Sequence, residues 1–249
     1  MSPTQKLQPT NSATPTLKAL KQRIQELANP DDAVNLLRFF KTGPGEYGEG
    51  DRFLGIRVPQ SRALAKEFRT LPLSEVKKLL HSEWHEERLI SLYLLIEHFE
   101  KNSPDKQREI AEYYLSNAHR VNNWDLVDSS AHHLVGAWLP PESTSRLETL
   151  ARSAMLWDRR IAVIATYWYI QRHIFAPTLK IAALLLKDPH DLMHKAVGWM
   201  LREVGKRDQK TEEIFLRKHF RIMPRTMLRY AIERFPEPLR LQYLNGTIE

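Results

Sequence analysis

The chain has 249 residues, 42% hydrophobic and 27% charged, with a formal net charge of +7 and a pI near 9.5. That balance supports a folded core and excludes a disordered chain. The lack of cysteine excludes disulfides, thiolate chemistry and Cys-ligated zinc, and no apolar run of about 18 residues offers a membrane span.

The excess of cations points to a polyanionic partner, nucleic acid first and an anionic membrane surface second. Residues 1–16, MSPTQKLQPTNSATPT, are rich in Ser, Thr and Pro and lack the apolar centre of a signal peptide. They are expected to form a disordered tail ahead of a single domain over 17–249. Helical periodicity then begins with LKALKQRIQELA and continues in DDAVNLLRFFK. Next comes TGPGEYGEGDRFLGIRVP, the one long irregular segment, with five of the nine glycines. Pro59 suits the first turn of PQSRALAKEFR, and Ser74 is the expected cap of LSEVKKLLHS. The segments HEERLISLYLLIEHFEK, PDKQREIAEYYLSNAHRV and WDLVDSSAHHLVGAWL follow as helices. So do SRLETLARSA, DRRIAVIATYWYIQR, APTLKIAALLLK, HDLMHKAVGWMLREVGKR, TEEIFLRKHF and PRTMLRYAIERF. Prolines fall between these patterns and no pair of alternating strands stands out, so the expected fold class is all-α.

The helices come in pairs. ERLISLYLL, RRIAVIATY, HKAVGWMLR and LRYAIERF each carry a basic residue followed by small or apolar ones. Those residues are Arg88, Arg160, Lys195 and Arg229, spaced 72, 35 and 34 apart, and a missing member would fall near 124. A two-helix period of about 35 residues indicates an α-solenoid. One cation per repeat at one helical position would form a row along a concave face, suited to a phosphate backbone.

The in-phase gap falls in NNWDLVDSSAHH, residues 122–133, where Trp124 and Asp128 lie one helical turn apart. Asp125 reads as a helix-start residue that accepts backbone N–H groups. Asp128, past the cap position, is either a solvated surface carboxylate or an anion set to stabilise a developing positive charge. Trp199, directly after Gly198 and four residues from Lys195, lies near the same face as the basic row; Trp138 and Trp168 read as packing residues. The adjacent His132 and His133 point to different faces and form no chelate. No HExxH is present, and no metal site is expected. The glycine-rich segment lacks a following GK[ST] and is not a GxGxxG fingerprint after a strand, and GxSxG is absent. It reads as a structural connection, with Tyr47 as a candidate DNA contact.

Taken together, RFFKTGPGEYGEGDRFLGIRVPQSR, NNWDLVDSS, WDRRIAVIA, KAVGWMLREVGK and MPRTMLRYAIERF, in this order and spacing, resemble the AlkD-like DNA alkylation repair glycosylases. The resemblance covers about residues 18–240. It implies HEAT-like helical repeats and excision of cationic N3- or N7-alkylated purines, such as 3-methyladenine and 7-methylguanine, from duplex DNA. It implies no cofactor and no metal, a monomer inside the cell at the nucleoid, no membrane, and a base that stays stacked during cleavage. It places Trp124, Asp128 and Trp199 in the active-site cleft and Arg160 on the DNA backbone. Phe39 stands where some relatives carry a tyrosine. On this reading Asp128 stabilises the oxocarbenium ion that forms as the glycosidic bond breaks. The two indole faces attract the cationic nucleotide, at about 0.5–2 kcal/mol each. The alternative is a helical-repeat protein that binds DNA through Arg88, Arg160, Lys195 and Arg229 without catalysis. A protein–protein scaffold would leave Asp128 without a role.

Overall fold

A computed structural model describes residues 15–248; residues 1–14, which hold most of the expected tail, lie outside the described residues. The helices are α1 (Leu17–Leu27), α2 (Pro30–Phe39), α3 (Val58–Glu67), α4 (Leu73–Leu80), α5 (His85–Glu100), α6 (Pro104–Ser116), α7 (Trp124–Asp128) and α8 (Ser145–Ala151). They continue with α9 (Leu156–Ala165), α10 (Tyr167–Ile170), α11 (Ala176–Leu185), α12 (Asp191–Gly205), α13 (Gln209–His219), α14 (Arg225–Ala231) and α15 (Glu237–Asn245). Among the described residues the one strand-like pairing is an isolated bridge between Arg52 and Trp84.

The helices stack as a repeat solenoid in two rows. One row runs α3, α5, α7, α9, α12, α14, each touching the next. The second row contains α4, α6, α8, α11 and α13, and it packs against the first. Between the rows lies a continuous apolar core that contains Leu94, Val127, Ile161, Val197 and Met227, all fully buried. Each amphipathic pair is too small to bury its apolar faces alone, so stacking on neighbours closes the core.

The register of the first row corrects the expected position of the missing repeat member. Asp128, Arg160, Lys195 and Arg229 are each the fifth residue of their helices, α7, α9, α12 and α14. Arg88 is the fourth residue of α5. The slot expected near 124 is therefore filled at 128, and by a carboxylate. One anion interrupts a series of cations.

Three local expectations also change. WDLVDSSAHHLVGAWL is not one helix: α7 stops at Asp128 and a π-helical turn covers His132–Gly136. Ser129 and Ser130 explain the break, since their hydroxyls donate to the main-chain carbonyls of Asp125 and Leu126 one turn back. Thr166 acts in the same way on Val163 O at 2.6 Å and separates α9 from α10. Ser74 does not cap α4, which starts at Leu73 behind Pro72. Helix α15, in a segment without a strong sequence signal, closes the C-terminal end through buried Tyr243.

Gly198 sets how closely α12 and α14 approach. A Cβ there would lie 2.5 Å from Met227 O and 2.5 Å from Tyr230 Cβ. Gly198→Ala should therefore cost about 1–3 kcal/mol through overpacking, although Ala favours an exposed helix interior over Gly. Chemical denaturation reads the sign directly, and a stabilised variant would show that the two helices can part freely.

Candidate active site

Asp128 sits at the last position of α7, capped at its start by Asn123, whose side chain accepts from Trp124 N at 2.8 Å. Its carboxylate is gripped from α9: Arg160 Nε donates to Oδ1 and Nη2 to Oδ2, each at 2.8 Å. Arg160 Nη1 donates to Leu192 O at 2.8 Å, at the start of α12. This bidentate geometry fixes the carboxylate plane. The Asp128 side chain is 18% exposed and that of Arg160 6%. Burial pushes the Asp128 carboxyl above its ordinary value, with the nearby Asp125 charge adding to the push and Arg160 pulling the other way.

Arg160 thus has a partner that the sequence did not suggest: its buried guanidinium bonds Asp128 and a main-chain carbonyl and holds the carboxylate. Arg88 is enclosed more deeply. It is 3% exposed and donates to Asp51, Asn122 and the carbonyls of Ser82 and Glu83. Lys195 and Arg229 do reach the surface. Lys195 is paired with Asp191 at 2.8 Å, while Arg229 is exposed.

Aromatic rings surround the N-terminal end of α7. Trp124 is half-buried and stacks on Phe40 at 5.2 Å, which stacks on Phe53 at 4.9 Å. Phe39, 62% exposed, meets the Trp124 ring edge-on at 5.8 Å. Tyr47 packs on Trp157 and His190. Burial raises its hydroxyl pKa, against the Trp124 side chain and the charges of Lys195 and Arg160. Phe39, Tyr47, Trp124, Asp128, Arg160 and Lys195 thus form one neighbourhood. Trp199 stands on its far side: half-buried, it lies 6.3 Å from the Tyr167 ring and donates to Glu203 Oε1 at 3.3 Å. Among the described residues, no ring contact joins Trp199 to Trp124.

Beneath Trp124 lies a buried charged cluster that the sequence reading did not pick out. His85, 1% exposed, bonds Asp51 through Nδ1 and Asp125 through Nε2, each at 2.8 Å. Burial opposes a charged ring, yet the two carboxylates win and raise its pKa to about 9. Asp125 is therefore an ion-pair partner and not the cap expected of it. The cluster ties the glycine-rich segment to the helices. Asp51 anchors that segment to α5, and Gly48 passes so close to Phe40 O that a Cβ would lie 2.5 Å from it.

Asp128 also lines an open cleft of about 660 Å³ between α3, α5 and the π-helical turn. Arg62, Lys66, Arg69 and Lys101 bring cations to it, and His132, close to Asp128, also lines it. Three of these cations were legible in SRALAKEFR, where Arg62 and Lys66 share one face of α3 and Arg69 follows in the turn after it. Among the described residues no cluster of His, Asp and Glu could hold a metal ion, and no helix is long and apolar enough to cross a membrane.

A family model described as DNA alkylation repair enzyme matches residues 20–235. The chain belongs to this family. Membership points to an enzyme for repair of alkylation damage, with DNA as its partner. The chain is similar in fold to a protein described as a predicted DNA alkylation repair enzyme from Enterococcus faecalis. The TM-score is 0.65 and the identity 18%, over 84% of this chain and 97% of that one. Comparison with the curated proteins gives no match.

Proposed function

We propose that the protein is a monofunctional DNA glycosylase that hydrolyses the N-glycosidic bond of cationic N3- and N7-alkylated purines in duplex DNA. The observation that carries this reading is Asp128, a residue in the lining of a cleft with a basic rim, whose carboxylate Arg160 holds in one plane at 2.8 Å. An alkylated purine is already a good leaving group, so the enzyme needs little acid help. Its task is to stabilise the cation left on the sugar, and a fixed anion does that without reorganisation. Trp124, with Phe39 at its edge, offers π-faces to the same positive charge. The open cleft suits a lesion approached along its backbone with the base still stacked, as the family resemblance implies.

The testing experiment is single-turnover release of 7-methylguanine from a defined duplex, with an unmodified duplex as control. Release should occur without strand cleavage, because no lysine is assigned to attack the sugar. Tight DNA binding without release would favour a non-catalytic binder instead. Lys195→Ala and Arg229→Ala should each weaken DNA binding and make the salt dependence shallower by about one counterion per cation removed. Arg160→Ala should leave the slope unchanged. Slopes that respond the other way round would put the phosphate contact at Arg160 after all.

A further inference from the structure

The π-helical turn after α7 places His132 on the ring network that ends at Trp199. The His132 ring lies 5.4 Å from Tyr167, edge-on, and 4.0 Å from the ring of His133; Tyr167 in turn packs on Trp199. Together with Asp128 it lines the open cleft. Nδ1 of His132 is buried without a hydrogen-bond partner, which leaves Nε2 as the nitrogen that can meet water. Such π-helical turns re-aim side chains and are frequent at functional sites.

The charge state matters here. Burial disfavours a charged ring, and the adjacent His133 adds to this. Against them the main-chain carbonyl of Asp128 has little weight, and the pKa falls to about 3. At neutral pH the ring is an uncharged imidazole. With the proton on the buried Nδ1, Nε2 presents a lone pair.

We propose that His132 is a second water-holding group of the glycosylase reaction, accepting one hydrogen of the attacking water while Asp128 accepts the other. This rests on the function proposed above. A water with both hydrogens donated turns an oxygen lone pair outward, toward C1′ of the sugar. An imidazolium at this position would donate to that lone pair and block attack, so the uncharged ring is the useful form. In the step, the C1′–N bond breaks and its electron pair leaves with the purine, which becomes neutral. The water oxygen bonds to C1′, one proton passes to Asp128 and then to solvent, and His132 stays uncharged throughout.

The test compares wild type, His132→Phe and His132→Gln, with folding checked by thermal melting. 7-Methylguanine release is measured in water, and the sugar product is analysed in a water–methanol mixture. Wild type should give the abasic hydrolysis product almost alone. His132→Phe should release base at least about tenfold more slowly and yield methyl deoxyriboside as methanol takes the unheld position. His132→Gln, which keeps an acceptor, should lie within about threefold of wild type. If Phe does not fold, His132→Met replaces it as the variant without an acceptor. Wild-type rate and product ratio in the variant without an acceptor overturn the inference, as does a Gln variant equally impaired. If wild type itself releases no base, it is the glycosylase reading that fails.

Discussion

Asp128→Asn should slow single-turnover release of 7-methylguanine at least about tenfold while DNA affinity stays within about twofold. The substitution removes a full negative charge from the point where the sugar becomes positive and keeps the shape of the side chain. Losing a transition-state contact of this kind lowers the chemical rate and leaves ground-state binding alone. The pairing with Arg160 complicates the variant. Removing one partner of a buried pair can cost about 3–5 kcal/mol, because the other charge stays buried. Asn retains one acceptor oxygen for Arg160, so the loss should be smaller, and rates must be compared below the melting temperature of both proteins. The wild-type pH profile is an independent check. The carboxyl pKa is raised by burial, so release should fall on acidification at a pH above the usual carboxylate range, as the anion is lost. Undiminished release by Asp128→Asn would take this carboxylate out of the mechanism.

That pairing also shows where sequence reasoning reached its limit. Helical periodicity and the repeat spacing were sufficient to predict an all-α solenoid, because stacked amphipathic pairs leave both signals in one dimension. The resemblance singles out Trp124, Asp128 and Trp199 as the residues to test. What could not be read was burial within the basic row. Arg88, Arg160, Lys195 and Arg229 look alike in sequence. Two of them are buried because a carboxylate on a neighbouring segment reaches them: Asp51 reaches Arg88, and Asp128 reaches Arg160. These pairings span 37 and 32 residues, and no local pattern encodes them. The break after α7 was, by contrast, visible in principle. Two consecutive serines after a carboxylate are poor helix formers with hydroxyls able to compete for backbone carbonyls.

His85→Gln should destabilise the protein by about 3 kcal/mol at neutral pH, the largest stability effect expected for one side chain beneath the site. His85 is fully enclosed, between Asp51 on the glycine-rich segment and Asp125 on α7. Phe53 stacks on its ring at 4.4 Å and Phe40 lies at 5.0 Å, and Phe40 carries Trp124. The imidazole therefore ties the irregular segment to the helix that presents Trp124 and Asp128. Its pKa stands at about 9 in the folded protein against an ordinary 6.5. The folded state binds the proton more tightly than the unfolded chain, so this contribution is complete below about pH 6.5 and is lost as pH rises through about 9. Burial also works against the Asp51 carboxylate, but His85 and Arg88 overcome it and hold its pKa below the ordinary value. Urea denaturation of wild type at pH 7 and at pH 9.5 should show the loss. His85→Gln, which keeps hydrogen-bonding capacity but cannot become cationic, should be weaker at pH 7 and nearly flat over the same interval. Equal pH dependence in the two proteins would mean that His85 is not charged in the fold. Base release should follow the same interval if the cluster positions α7, and release insensitive to His85→Gln would confine the cluster to folding alone.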